Sequence, residues 1–372
     1  MRDMRNVKIV DTTLRDGEQT AGVIFSNEQK LKIAKLLDKI GVHQIEAGIP
    51  IIGGDEKEAI KNIVKADLNA SIMAWNRAEV DDIKASLDCG VDSVAISIST
   101  SDVHIKQKLK KDRNWVIRKM TETVNFAKKN DLYVCVSAED ASRSDRDFLI
   151  RFAKEAKAYG ADRIRFCDTV GIMDPFNTKA AIEDLILAVD IDVEMHTHNG
   201  FGLGVANALA GAKGGAKYIG LSVNGLGERA GNPALEEVLM ALKYLYDVKL
   251  DFEKDDFREL SEYVSKASSR DLPPEKAIFG THIFAHESGI HKGENLKDIS
   301  NYEVFSPEEI GTERQISIDE NSTKNEIVNK FKEYGIKLND SEADNVTKQA
   351  KKLSKKYRRA LFDKELMYIY DS

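Results

Sequence analysis

Cysteine is scarce in this 372-residue chain, and the little there is does not cluster. Cys89, Cys135 and Cys167 form no C-x-x-C pair. That spacing excludes a zinc knuckle and a disulfide framework, and it fits a reducing compartment. Positive charge is not in excess either: Lys and Arg number 55 against 62 Asp and Glu, a formal net charge of -7. With no surplus of cations to neutralise phosphates, nucleic-acid binding is not expected. The one basic run, Lys106–Arg113, reads as a solvated face or as a partner for a small anion. Long apolar runs are missing too. Met1–Val7 is charged and has no signal-peptide core, and nothing later approaches the roughly 20 apolar residues of a membrane span. No membrane partner and a cytoplasmic location are therefore the expectations. Repeats and low-complexity segments are also absent.

What is present is strand–helix alternation. Eight short, β-rich, mostly apolar segments are each followed by a helix-length stretch: Val7–Leu14, Gln44–Pro50, Ser71–Arg77, Ser93–Thr100, Tyr133–Asp140, Arg163–Gly171, Val193–Gly200 and Tyr218–Glu228. Between the first two, Leu31, Ala34 and Leu37 recur at helical spacing, and Ser26 with Gln29 makes a capping box for that helix. Gly41, Gly90 and Gly160 stand where helices should stop. Such alternation implies a parallel sheet with right-handed crossovers. Eight units favour closure into a (β/α)₈ TIM barrel, an α/β fold, over an open doubly wound sheet. The length suits one barrel of about 250 residues plus an appended piece. The expected division is a barrel over 1–250 and a small, mostly helical C-terminal extension over 251–372.

In a closed parallel barrel the C-terminal strand ends share one rim. Those ends here carry Arg15, Asp16, Glu18 and Gln19, then His104, Ser137, Glu139, Asp140, Asp168 and Thr169. His196, His198, Asn199, Asn224, Glu228 and Asn232 complete the set, while the strand interiors read as apolar. His196 and His198, at i and i+2 of a strand, point to one side and can converge on one ion; alone, the pair could also be two polar residues at a strand end. Strands one and seven are separated only by strand eight, so Asp16 can complete a His₂–carboxylate set with open positions. Nitrogen and oxygen ligands without thiolate suit a divalent ion: Zn²⁺, Mn²⁺, Co²⁺, Fe²⁺ or Mg²⁺. Asn232 is a possible fourth ligand. The Gly-rich loop Asn224–Asn232, with Asn224, Gly225 and Gly227, is a candidate phosphate-holding loop for a cofactor, since barrels often bind phosphate after strands seven and eight. It is not a P-loop, because no Gly-Lys-Ser/Thr follows. Arg15 offers a guanidinium fork for a substrate carboxylate, or an ion pair with Glu18 or Glu46. Glu139 could be a general base or orient one. His291 lies outside the barrel in a loop that also holds His282 and His286, so only that loop or a partner subunit could deliver it; otherwise these histidines are solvated or form a separate metal site.

Four motifs in order carry a resemblance. Asp11-Thr-Thr-Leu-Arg-Asp-Gly-Glu-Gln19, His196-x-His198-Asn199, Asn224-Gly-Leu-Gly-Glu-Arg-Ala-Gly-Asn232 with Ala234-Leu-Glu-Glu237, and Phe284-Ala-His-Glu-Ser-Gly-Ile-His291 resemble the signatures of the DRE-TIM metallolyase superfamily. Within it they match the Claisen-condensing group of isopropylmalate, citramalate and homocitrate synthases, over residues about 7–315. Ala47-Gly-Ile-Pro50, Ala74-Trp-Asn-Arg77, Glu139-Asp-Ala-Ser-Arg143 and Ala360–Leu366 resemble the nitrogen-fixation type of homocitrate synthase. The resemblance implies acetyl-CoA condensing with a 2-oxo acid, foremost 2-oxoglutarate to give homocitrate. It implies a metal held by Asp16, His196 and His198, with Arg15 neutralising developing charge. Gln19, Ser137 and Thr169 would hold the oxo acid. His291, with Glu139 near it, would take the methyl proton, donated across the interface of a homodimer.

Three departures stand out. Gly200 replaces an Asp common after the metal motif, removing a carboxylate that would orient ligands. Cys135 stands where fungal homocitrate synthases place an Arg for the distal carboxylate, leaving His104 or Lys106 to serve. Asp319-Glu-Asn-Ser-Thr323 replaces a Lys-His-Ser-Gly stretch. The rival readings are an isopropylmalate or citramalate synthase, a superfamily lyase, and an inactive paralogue.

Overall fold

The computed structural model describes residues 4–249, 253–287, 303–313 and 315–371. Strands β1 (Lys8–Asp11), β2 (Gln44–Gly48), β3 (Ser71–Arg77), β4 (Ser93–Ser99), β5 (Tyr133–Glu139), β6 (Arg163–Asp168), β7 (Asp192–Thr197) and β8 (Tyr218–Leu221) form a closed barrel in that order. Every neighbouring pair is parallel, and closure comes from β8 against β1, Lys8 opposite Tyr218 through Asp11 opposite Leu221. The expected TIM barrel is the observed fold, and the open sheet is excluded.

Local chemistry accounts for the crossovers. Helix Asn27–Lys39 opens on the Ser26–Gln29 capping box, with both reciprocal bonds made, at 3.2 and 2.8 Å. Helix Val80–Cys89 stops because Gly90 takes the left-handed conformation at φ 77°. Several strands are shorter than their apolar runs. β1 ends at Asp11 because its carboxylate accepts from the Thr13 amide at 2.8 Å and turns the chain. β6 ends at Asp168, whose carboxylate takes the amides of Ile172 and Met173, each at 3.1 Å. In both cases an acidic side chain at the strand end takes amides of the turn that follows.

The expectation of apolar strand interiors is overturned. Met73, Ala95 and Cys135 do form an apolar inward cluster, with Trp75 against it. On β2, β6 and β7, however, the buried inward residues are Gln44 and Glu46, Arg163 and Arg165, and Glu194 and His196. Some pair between the neighbouring strands β6 and β7, as Arg165 with Glu194 at 2.7 Å, and others meet across the barrel, as Arg165 of β6 with Glu46 of β2 at 3.1 Å.

The chain divides into two compact units, Met1–Asp271 and Leu272–Ser372. Helix Lys254–Ser268 lies in the first unit rather than the appended one. Its Asp256 and Glu259 pair with Lys39 and Lys32 of the first crossover helix, at 3.0 and 2.6 Å. The second unit pairs β9 (Ala285–Glu287) with β10 (Gln315–Ser317) and adds helices Lys324–Glu333, Asp340–Tyr357 and Asp363–Asp371. Their core is Ile318, Ile327, Phe331, Val346, Leu366 and Ile369. The Asp319–Thr323 segment finds its role here as a helix start. Asp319 accepts from the Asn321 amide at 2.7 Å, and Thr323 caps the following helix in a reciprocal box with Glu326. Among the described residues no helix is long and apolar enough to cross a membrane.

Candidate metal centre

The turn after β1 delivers the first ligand candidate. The Arg15 and Gly17 amides both donate to the Thr12 carbonyl, at 3.2 and 3.0 Å, and the Asp16 amide to Thr12 Oγ1, at 3.3 Å. This tight winding holds Arg15 and Asp16 over the barrel mouth. β7 supplies His196, and His198 follows two residues on, so both rings face the same way. They sit edge to face, 5.1 Å apart at 87°. Asp16 Oδ2 lies 3.2 Å from His196 Nε2 and 3.7 Å from His198 Nε2. One ligand atom from each of the three falls within 4.8 Å of the others, and all three residues are buried. β8 stands between β1 and β7, and it allows this approach by having no side chain at Gly220. A β-carbon there would lie 2.9 Å from His196 Nδ1.

The donors fit a divalent cation. Both Asp16 oxygens are buried without a hydrogen-bond partner, an expensive state for a carboxylate unless a cation faces it. Burial pushes the Asp16 pKa up, but the charge of Arg15 and the nearby histidines outweigh it and hold the group well below the usual carboxylate range. Burial, reinforced by His196, Arg229 and Arg15 and opposed by Asp16, lowers His198 to about 3. It is thus a neutral imidazole with a lone pair at physiological pH, as a metal ligand must be. Asn232 is buried with Oδ1 unpartnered, while its Nδ2 donates to the Leu226 carbonyl at 3.1 Å. The adjacent Gly231 carbonyl accepts from the Asn199 amide at 2.8 Å, which fastens this loop beside His198.

Arg15 is committed on one side. Its Nη2 is 3.0 Å from Glu46 and its Nη1 is 3.6 Å from Asp16, with its Cζ 5.9 Å from the centre of the Trp75 ring. Burial would raise Glu46, but Arg15 and Arg165 bring it down to about 2, so it stays charged.

A second cluster forms at the ends of β4, β5 and β6. His104 Nδ1 lies 3.1 Å from Glu139 Oε1, and its Nε2 lies 3.1 Å from Arg143 Nη2. Lys108 reaches the same Glu139 oxygen at 2.6 Å. Arg143 also grips the buried Asp140 at 2.7 Å, and the Asp140 amide donates to Thr169 Oγ1 at 2.8 Å. Arg229 donates to the Thr169 carbonyl. Ser137 is buried with its hydroxyl unpartnered, whereas Gln19 is exposed.

The Gly-rich loop spends its donors on the protein around it. The Asn224 amide donates to Glu236 at 3.0 Å, Gly225 to the Ser222 carbonyl at 3.2 Å, and Gly227 to Thr20 Oγ1 at 2.8 Å. The Asn224 side chain is held by Ser261. A β-carbon at Gly227 would sit 2.7 Å from Asn232 Nδ2. These glycines make room for Asn232, and the three amides are not free to cradle a phosphate. Gly200 has a comparable reason: a β-carbon there would meet the Gly171 carbonyl at 2.7 Å, where the β6 and β7 loops touch. Cys135 faces the interior, with its thiol 3.6 Å from Glu194 Oε2. His291 lies outside the described residues, and of His286 only the backbone is described.

Three functional candidates escaped the sequence reading: Arg163, Arg165 and Glu194. Their signal was Arg-x-Arg in β6 and Glu-x-His-x-His in β7, charges at two-residue spacing on one strand face.

The HMGL-like family model matches residues 6–264, and the homocitrate synthase post-HMGL domain-like model matches 278–358. A protein named 2-isopropylmalate synthase 2 from Caldanaerobacter subterraneus subsp. tengcongensis is 60% identical, over 98% of this chain and 95% of its own. Homocitrate synthase 1 of Nostoc is 46% identical, over 98% of this chain and 97% of its own. Among solved structures, an HMG-CoA lyase from Bacillus subtilis superposes with TM-score 0.66 at 20% identity. It covers 73% of this chain and 97% of its own, a likeness of fold alone.

Proposed function

Because the chain belongs to the HMGL-like family and carries a homocitrate synthase post-HMGL domain-like region, we propose that it condenses acetyl-CoA with a 2-oxo acid at the Asp16–His196–His198 centre. The observation that carries this reading is the convergence of one buried ligand atom from each of Asp16, His196 and His198, all within 4.8 Å of one another, beside Arg15. Asp16, His196 and His198 would hold the metal, with Asn232 as a further oxygen donor. A bound divalent ion supplies Lewis acidity toward the ketone and carboxylate oxygens of a chelating oxo acid.

The chain's own residues do the rest. Arg15, aimed by Glu46, presents a guanidinium where negative charge develops on the former ketone oxygen. Thr169, Ser137 and Gln19 line the path of the oxo acid. The acetyl methyl group loses a proton as its carbon bonds to the carbonyl carbon, and hydrolysis of the thioester then releases CoA. His291, supplied by a second copy in a homodimer and oriented by Glu139, is the proposed proton acceptor. Glu139 is suited to such orientation because it already holds His104 and Lys108.

For the acid we propose 2-oxoglutarate, giving homocitrate. The 278–358 match and the Nostoc relative support it. A second reading, 2-oxoisovalerate or pyruvate, is favoured by the Caldanaerobacter relative and by the uncharged Met73, Ala95 and Cys135 at the inward face. Thiol release from acetyl-CoA with each of the three acids is the test. The highest kcat/KM with 2-oxoglutarate is expected. A higher value with either other acid defeats the homocitrate assignment, and no release with any acid defeats the synthase.

A further inference from the structure

Six ionised side chains run through the barrel as one path of alternating sign: Arg163, Glu194, Arg165, Glu46, Arg15 and Asp16. Arg163 Nη2 lies 2.9 Å from Glu194 Oε2, and Arg165 Nε lies 2.7 Å from Glu194 Oε1. Arg165 Nη1 then lies 3.1 Å from Glu46 Oε1, and Glu46 Oε2 lies 3.0 Å from Arg15. At the lower end the Arg163 guanidinium is 4.3 Å from the Tyr218 ring and 5.5 Å from that of Tyr133. At the upper end stands Asp16. Glu46 bridges Arg165 to Arg15, and Glu194 bridges Arg163 to Arg165.

Folding alone gives little reason for such a path. Taking paired charges out of water costs as much as their attraction returns, and apolar side chains of the same volume hold a core as well or better. Geometry gives a better reason. Arg15 has a long, rotatable stem, and its direction is set by Glu46. Glu46 would swing toward Arg15 alone if Arg165 did not hold its other oxygen. Arg165 in turn is pinned by Glu194, and its Nη2 rests 3.6 Å from Met73 Sδ.

We infer that Arg165 and Glu194 are positioning residues, which fix Glu46 and through it aim the Arg15 guanidinium at the substrate oxygens. The target of that aim rests on the synthase reading; the aiming itself does not.

Arg165→Met, Arg165→Lys and Glu194→Gln, compared with the parent chain, test this. Three quantities are read: kcat and KM for the oxo acid in thiol release, Co²⁺ affinity by chelator competition, and the Arg15 Nε–H cross-peak, assigned by its loss in Arg15→Lys. Arg165→Met and Glu194→Gln are expected to lower kcat/KM at least tenfold and to shift or broaden the cross-peak. Co²⁺ affinity is expected to change less than threefold, and Arg165→Lys to restore part of the loss. A folded Arg165→Met with the parent's kcat/KM and cross-peak overturns the inference. So does a fall in Co²⁺ affinity that matches the fall in activity, because the path would then support the ligands and not Arg15. Should Arg165→Met not fold, Glu194→Gln decides by the same readouts, since it keeps the volume and leaves Arg165 paired with Glu46. A parent chain releasing no thiol with any oxo acid defeats the synthase reading instead, and the cross-peak then decides the aiming alone.

Discussion

Gly220→Ala puts the centre under direct mechanical test. The added carbon would sit 2.9 Å from His196 Nδ1 and 3.2 Å from Glu194 Oε1. Unstrained contact needs roughly 3.5 Å, so the imidazole must retreat by about half an ångström or β8 must move outward. β8 is hydrogen-bonded to β7 on one side and β1 on the other, so the ring yields first. Overpacking of this kind costs roughly 1–3 kcal/mol, which a barrel of this size survives. A metal held by Asp16, His196 and His198 would be less tolerant, because ligand distances hold to about ±0.2 Å. Disturbing the groups that orient a ligating histidine typically costs about 10–100-fold in metal affinity. Gly220→Ala is therefore expected to stay folded, to lose 1–3 kcal/mol in urea unfolding, about what overpacking costs, and to bind Co²⁺ about 10–100-fold more weakly. Chelator competition on metal-stripped protein measures the last. A variant that is destabilised yet binds Co²⁺ as tightly as its parent would refute the placement of His196 in the ligand set.

Three further outcomes are expected. His196→Ala should abolish thiol release, and full activity of that variant after metal stripping would remove the basis for the centre. Asp11→Asn should flatten part of the dependence of stability on pH. Burial, with help from Glu46 and Glu236 and against the Thr13 hydrogen bonds, raises Asp11 from 3.8 to about 7 in the folded chain. The folded state holds that proton more tightly, so the contribution is complete below about pH 4 and is lost as pH rises to about 7. Its full size is on the order of 4 kcal/mol, of which about 2.7 kcal/mol falls between pH 5 and pH 8, and urea unfolding of parent and variant at those two pH values reads that part; equal pH differences in both would contradict the shift. Thr323→Ala removes a helix cap and should cost about 1 kcal/mol, measured as a lower urea midpoint for the unit holding Phe331; an unmoved midpoint would show that the cap adds nothing.

The barrel was legible because its evidence is periodic and ordered: eight apolar segments at crossover spacing admit few topologies. The ends of those strands were less legible. Asp11 and Asp168 terminate β1 and β6 by taking amides from the residues that follow, and an apolar run shows no sign of that. The Asp16–His196–His198 cluster could be read because His196 and His198 share a strand face and closure places strand one within reach of strand seven. Arg165 and Glu46 could not be paired from sequence. They are 119 residues apart and meet only across the barrel lumen, where neither neighbour nor register points from one to the other. The Asn224–Asn232 loop shows the opposite error. Its glycines suggested a ligand cradle, but at Gly227 the missing side chain makes room for Asn232.

The charges of the buried path suggest why the barrel tolerates them. Arg15, Arg163 and Arg165 balance Asp16, Glu46 and Glu194, so these six side chains sum to zero, and every interior step joins opposite signs. A neutral interior is one that a low-dielectric barrel can hold. Adding a divalent ion and the carboxylate of a chelating oxo acid leaves one positive charge at the upper end, beside Arg15. In the proposed condensation negative charge would develop on the ketone oxygen at that end, and fixed charge already in place there would require no rearrangement as it forms. On this account the lower links of the path keep the resting barrel neutral and the upper guanidinium aimed. Removing one carboxylate from the middle would then unbalance the interior and misdirect Arg15 together, whereas removing a matched pair, such as Arg163 with Glu194, would do only the second.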